Sequence, residues 1–472
     1  MTPTFMQAGA ALIVLVAIRF IWGWSKQTRK GLPLPPGPKG KPLIGNLSDL
    51  PPPGVQEWVH WTPHKDFLPY GQRFRSYRKY LHSFMGTSQL LDRFGQLQEQ
   101  EVGHCLLRIL QTPQDFIKHI RTEAGAIILK IAYGYTIEPH RADPLVSLAD
   151  EALDQFSHAA VAGRWLVDIV PALRHLPEWF PGAGFKRTAK HWNHTVEQVV
   201  EAPHKFVQNQ ISNGTAPDSF LNDYLKNGKL APEQEIDVKY TTASLYTGGA
   251  DTTVATLETF CLAMMLHPEV QKKAQEEIDR VVGTDRLPTF SDRPNLPYID
   301  AMVKESLRWH PIGPMGLPHT STQDDVYNGY LIPKGAILIQ NIWLFTHDPE
   351  TYRDPMRFKP ERFLQTDDHA AEVDPTRYVF GFGRRICPGR VLADHSIYLT
   401  IAQMLAVFNF SKPDGMEVAP EWEGGIISHP KTFQANIEAR NAQREKMIRN
   451  LESKYPWEKS DAQDIEGLIR KL

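Results

Sequence analysis

Cysteine is almost missing from this chain: three residues in 472, Cys105, Cys261 and Cys387, separated by long stretches. Such spacing excludes a disulfide framework, leaves no C-x-x-C pair for structural zinc, and fits a reducing compartment. An excess of charge of either sign is missing too. With 52 Lys and Arg against 54 Asp and Glu, the formal net charge is −2, so nothing argues for nucleic acid as a partner. Internal repeats and long low-complexity tracts are also lacking, which sets aside solenoids and disordered scaffolds. What remains is 42% hydrophobic and 22% charged, over a length that suits several ordinary domains or one unusually large one.

One long apolar run does occur. FMQAGAALIVLVAIRFIWGW, residues 5–24, offers about twenty residues, enough to span a bilayer as a helix. Lys26, Arg29 and Lys30 follow it and no basic cluster precedes it, which predicts a cytoplasmic body and argues against a cleaved signal peptide. Arg19, near the cytoplasmic end, can snorkel to the interface. Next comes GLPLPPGPKGKP, too rich in proline for a helix and suited to a stiff hinge. The organisation expected is an anchor over 1–24, a basic, proline-rich hinge over 25–42 and a single large domain over 43–472.

Between residues 75 and 310 the apolar period is mainly helical. One helix is predicted from Pro232 to His267, stopped by Pro268; at about 35 residues it would be roughly 50 Å long. A second is predicted over Pro297–His310, and a third from just after Pro388-Gly389 to Phe408. VYNGYLIP and AILIQNI read as short strands. The class expected is mainly α with a smaller β region.

Cys387 stands in FGFGRRICPGR, among three glycines, three arginines and a proline. Lying just before a predicted helix, it meets backbone N–H groups and a dipole that favour a thiolate. Gly381, Gly383 and Gly389 allow tight turns and the approach of something flat; Arg385 can pair with a carboxylate. A haem meets all three conditions with its macrocycle, its iron and its propionates. The bland alternative is a tight turn around a structural cysteine. Against it stands the complete spacing F-x-x-G-x-R-x-C-x-G, from Phe380 to Gly389.

That stretch resembles the haem-binding loop of the cytochromes P-450, the haem-thiolate monooxygenases. Three further motifs resemble theirs, in the same order: TGGADTT with Gly248, Gly249, Asp251 and Thr252; Glu305-Ser306-Leu307-Arg308; and FKPERF with Pro360, Glu361, Arg362 and Phe363. YNGYLIPKG and THDPETYRDP look most like the fungal, endoplasmic-reticulum branch. The resemblance implies Cys387 as axial iron ligand of heme b, with Phe380, Gly381, Gly389, Arg385, Arg78 and His319 around the cofactor. Phe74 stands where the family usually has tryptophan, so the indole N–H near Arg78 is lost. Asp251 and Thr252 are the implied proton relay, for which the residues alone allow a polar kink instead. Glu305, Arg308 and Arg362 are implied to form a buried structural network, although most pairs three apart on a helix are weak surface contacts.

The implied reaction takes one oxygen atom from O2 into an apolar organic substrate, in fungal secondary metabolism or xenobiotic oxidation. Electrons would come from an NADPH-dependent flavoprotein reductase. The implied location is the endoplasmic reticulum membrane, single-pass, with a cytoplasmic catalytic domain. Substrate contacts are expected from Thr247–Ala250, Ile312–Leu317 and Gly424–Ser428. Trp179, Phe180 and Phe185 form either a lid dipping into the membrane surface or an ordinary loop of partly packed aromatics. An isomerase or dehydratase without dioxygen is the rival that an intact Asp251-Thr252 argues against.

The chain also departs from that family. PPPGVQEWVHWTPHKD runs straight into FLPYGQRFRSYRKY, and several tens of residues of the N-terminal sheet region are missing at a join near Asp66-Phe67. A catalytically inactive, truncated membrane-bound product is therefore the alternative reading.

Overall fold

The computed structural model describes residues 32–36, 70–159, 165–226, 228, 230–367 and 370–472. The anchor over 1–24, most of the hinge and the join at Asp66-Phe67 lie outside the described residues. Among the described residues no helix is long and apolar enough to cross a membrane.

The chain divides into two compact units, 1–51 with 317–340, and 52–316 with 341–472. In the smaller unit the VYNGYLIP stretch is a hairpin of β2 (Asp325–Tyr327) and β3 (Tyr330–Ile332). Asn328 and Gly329 both take positive φ, 49° and 81°, as a two-residue turn requires when Tyr327 pairs with Tyr330. β1 (His319–Thr320) pairs antiparallel with β4 (Ile337–Leu338). Leu331 N donates to Pro33 O at 2.9 Å, tying the described piece of the hinge to the β2–β3 hairpin.

The larger unit is helical. Its longer helices are α1 (Gln72–Met85), α2 (Gly95–Gln111), α3 (Phe116–Tyr133), α4 (Pro144–Ala159), α5 (Gly184–Ser212), α6 (Pro232–Ala250) and α7 (Thr252–Leu266). They continue with α8 (Pro268–Val281), α9 (Pro297–Trp309), α10 (Arg390–Val407), α11 (Ala442–Lys454) and α12 (Ala462–Ile469). Proline opens α6, α8 and α9, where its missing N–H is one the helix would leave unpaired anyway. A small antiparallel pair, β5 (Phe408–Ser411) with β6 (Asn436–Ala439), follows α10 directly.

α7 and α10 form the middle of the core. Nearly every residue of α7 is buried, as is α10 from Ser396 onward, so neither shows a polar face. α7 and α9 both pack on α10, and α6 packs on α3.

The helix expected to run unbroken from Pro232 to His267 is two helices. Asp251 separates them with φ −119° and ψ −33°. Two neighbouring glycines weaken the helix there, and the Asp251 carboxylate is drawn sideways by partners on other elements. The other two expected helices end one residue early, at Trp309 and Val407.

Candidate active site

The cysteine loop is built by a few backbone bonds. Cys387 N donates to Phe380 O at 2.8 Å, closing the loop, and Ile386 N donates to Gly383 O at 3.2 Å inside it. Gly381 (φ +74°) and Gly383 (φ +57°) need the left-handed region, which favours glycine. Gly389 does not: its φ is −86°, and a Cβ there would lie 3.9 Å from Cys387 Sγ, an ordinary contact. Gly389 still serves a turn, Pro388-Gly389, with φ −86° and ψ 2° that any residue can adopt, and it caps α10 beside the sulfur.

Two arginines reach this loop from different directions. Arg78, half-buried on α1, donates from Nη1 to Ile386 O at 2.6 Å. Burial pulls its pKa down, and the charge of Cys387 acts in the opposite sense. Arg385 lays its guanidinium 3.9 Å from the centre of the Phe74 ring. Phe74, in the place where an indole was expected, is therefore the platform for the loop's own arginine. His319 belongs to the smaller unit, where it opens β1 opposite Leu338.

Gly248 and Gly249 play different parts. Gly248 is exposed in the last turn of α6, and a Cβ there meets nothing within 4 Å. At Gly249 a Cβ would come within 3.0 Å of Ile128, so that glycine serves the close packing of α6 on α3. Thr252 lies one turn beyond Gly248 on the same face, and its Oγ1 donates to Gly248 O at 2.9 Å.

Asp251 faces elsewhere, into a buried charged cluster. Arg121 on α3 donates from Nη1 to Asp251 Oδ1 at 2.6 Å and to Asp150 on α4 at 3.2 Å. His429 Nε2 lies 3.2 Å from Asp251 Oδ2, while its Nδ1 lies 2.8 Å from Glu258 Oε2 on α7. Arg121 Nη2 is 3.7 Å from Glu258. Burial by itself would raise the Asp251 pKa, but His429 and Arg121 outweigh it and hold the carboxyl below its ordinary value. Burial likewise opposes the His429 cation, yet Asp251 and Glu258 push its pKa up to about 10. Sequence reasoning missed Arg121, Glu258 and His429; His429 follows directly on the Gly424–Ser428 stretch, the nearest signal there was.

Two stretches expected to line the substrate space do meet: Ser428 N donates to Ile312 O at 2.8 Å, and a Cβ on Gly313 would lie 3.6 Å from Ile426 O. Through His429 and Asp251 this corner joins the end of α6. On the far side of α9, Glu305, Arg308 and Arg362 are fully buried together. Arg308 holds Glu305 with two bonds, at 2.7 and 2.9 Å, and Arg362 Nε reaches the same carboxylate at 3.2 Å. Glu372, also missed, takes Arg362 Nη1 at 2.6 Å. Trp179, at the expected lid, is 80% exposed.

These residues fit a haem. A half-open loop turns on two left-handed glycines around a single thiol, at the start of a buried helix, and an exposed glycine leaves space beside Thr252. A mainly helical protein with small sheets and such a loop defines a class, the haem-thiolate enzymes.

Comparison with known proteins narrows it. The cytochrome P450 family profile matches residues 71–437. Cytochrome P450 monooxygenase claR of Ampulloclitocybe clavipes is 43% identical, over 92% of this chain and 91% of its own length. Cytochrome P450 monooxygenase ppsD of Aspergillus oryzae is 41% identical, over 94% and 96%. O-methylsterigmatocystin oxidoreductase of Aspergillus flavus is 39% identical, over 94% and 95%. The chain belongs to the cytochrome P450 family and is a haem-dependent monooxygenase, using O2 and a redox partner on a small molecule.

Proposed function

We propose that this chain oxidises an apolar organic substrate at a heme b held by Cys387, with electrons from an NADPH-dependent flavoprotein reductase. The observation that carries the reading is the Cys387 loop, closed on Phe380 O and secured by Arg78 from a helix 308 residues away in sequence. The bound haem supplies dioxygen activation; everything else falls to the protein's own side chains. Cys387 provides the thiolate. Arg78 and Arg385 place positive charge beside it, suited to propionates, and His319 is carried as a third propionate contact on the motif alone. Phe380, Gly381 and Gly389 shape the face against which a flat ring lies.

Thr252, one turn from an open glycine, presents its hydroxyl oxygen where a proton is to be delivered, and Asp251 is the acid that supplies it. Thr247–Ala250, Ile312–Leu317 and Gly424–Ser428 are the substrate-facing stretches. Glu305, Arg308 and Arg362 act structurally. The exposed Trp179 and Phe180 support a lid at a membrane surface, and residues 1–24 an anchor in the endoplasmic reticulum, with the catalytic domain cytoplasmic. The kinship with an enzyme named for O-methylsterigmatocystin supports fungal secondary metabolism as the setting, beside xenobiotic oxidation.

An inactive product remains the second reading, with an observation of its own. The alignments with claR and ppsD extend over 493 and 508 residues, more than this chain's 472, so the relatives hold residues without a counterpart here. The test is the carbon monoxide difference spectrum of the reduced protein in membranes. A long-wavelength Soret band that disappears in Cys387→Ala is expected. No band, or only the shorter-wavelength band of lost thiolate ligation, would leave the inactive product standing.

A further inference from the structure

One titratable group near the proposed relay has no part in the reading above. His429 is clasped between two carboxylates, Asp251 at 3.2 Å on Nε2 and Glu258 at 2.8 Å on Nδ1, while its side chain keeps 17% of its surface toward solvent. An imidazole that only packed would need no second acid. Two acids, one on each nitrogen, favour the doubly protonated ring, and contact with water lets it be recharged.

We propose that His429 is a positioning residue for the monooxygenase reaction, returning a proton to Asp251 each time Asp251 has given one up. This rests on the reading that Asp251 supplies protons toward Thr252. The Nε2–H bond of the imidazolium breaks and an O–H bond forms on Asp251 Oδ2; the neutral imidazole then takes a proton from water. No other bond changes. The transfer also removes the charge attraction between the two residues, so the neutral acid is released to turn toward Thr252. That hydroxyl donates to Gly248 O and keeps its oxygen lone pairs for the incoming proton.

Arg121 is not stranded when Asp251 leaves, because Asp150 at 3.2 Å and Glu258 at 3.7 Å still face it. The charged and titratable groups around His429 are thus Asp251, Glu258 and Arg121, with Asp150 behind them. His310 is the remaining neighbour. Stacked on Trp422 at 3.6 Å and bonded to Ser428, it is held neutral, burial pushing its pKa down to about 3.

The test uses the full chain in membranes and two readouts. Exchange of the histidine C2 proton for deuterium, followed by mass spectrometry across pH, gives the titration midpoint of His429 whether or not haem is loaded. NADPH oxidation per thiolate-ligated haem, with reductase and O2, gives the pH–rate profile. The expected result is a His429 midpoint well above that of ordinary histidines and an alkaline limb of the rate at the same pH. In Glu258→Gln both should move down together by a unit or more. In His429→Gln, which keeps a donor toward Asp251 but carries no exchangeable charge, the rate should fall roughly tenfold or more and lose that limb.

An ordinary midpoint for His429, or a limb that stays put in Glu258→Gln while the midpoint moves, overturns the proposal. Asp251→Asn separates the two levels. If it abolishes turnover while His429→Gln keeps the wild-type rate and profile, only the role of His429 is lost. If Asp251→Asn is itself indifferent, the relay reading falls and His429 with it.

Discussion

Two buried clusters of charge flank the core of the larger unit, and they differ in one kind of residue. Around Glu305 the cations are Arg308 and Arg362, both guanidinium groups that stay charged at any pH the fold survives. Around Asp251 one cation is Arg121 and the other is His429, an imidazole that can give up its proton. The first cluster is sealed: Arg308 spends its other bonds on Thr346 O and Pro355 O, and Arg362 on Glu372. The second reaches water through Arg121 and His429. Opposite charges lock a fold when every partner is permanent and saturated; substitute one titratable partner, and the same chemistry becomes responsive to pH.

The largest effect expected from this contrast is in the sealed cluster. Arg308→Met or Arg362→Met removes one of the two cations that hold the buried Glu305 carboxylate, and a loss of about 3–5 kcal/mol should appear in chemical denaturation, or as failure to accumulate folded protein. If either variant costs under about 1 kcal/mol, comparable to a surface pair, the sealed description is wrong.

The second prediction concerns pH. The folded pKa of His429 is raised to about 10 above an ordinary value of about 6.5, so its contribution to stability is complete below about 6.5. That contribution drains away as pH climbs toward about 10. Melting temperature should therefore fall across this alkaline window, and the part due to His429 should vanish in His429→Gln. Asp251 works at the other end: its lowered pKa gives stability that is lost as pH drops below the ordinary carboxylate range.

A smaller effect separates the two glycines of the broken helix. Gly248→Ala enters open space and should stabilise by up to about 1 kcal/mol through helix propensity alone. Gly249→Ala meets Ile128 at 3.0 Å and should rank below it in melting temperature, the crowding offsetting the propensity gain. Equal melting temperatures for the pair would show that α6 and α3 are packed less tightly than described.

What was legible in the sequence were the features written in neighbouring residues. Pro232 and Pro297 mark helix starts, Pro268 marks a helix end, and the spacing from Phe380 to Gly389 marks the cysteine loop, whereas VYNGYLIP reads as a strand and proves to be a hairpin turning at Asn328-Gly329. The break at Asp251 was not legible, because it depends on Arg121, 130 positions earlier, and on His429, 178 positions later. Glu372 was hidden for the same reason: a buried acid has no local pattern that sets it apart from a solvated one. The two glycines differ only in what faces them, Ile128 or open space, and no spacing records that.

The bond from Arg78 to Ile386 has a consequence for synthesis. Its partners are 308 residues apart. At cellular translation rates of about 5–20 residues per second, α1 waits roughly 15–60 s on the ribosome before the loop it secures exists. During that interval Phe74 lacks Arg385 and Arg78 lacks its acceptor, although α6, made earlier, can already pack on the rest of this helix. A nascent chain stalled before residue 386 should be more open to protease around Phe74 and Arg78 than one in which the cysteine loop has emerged.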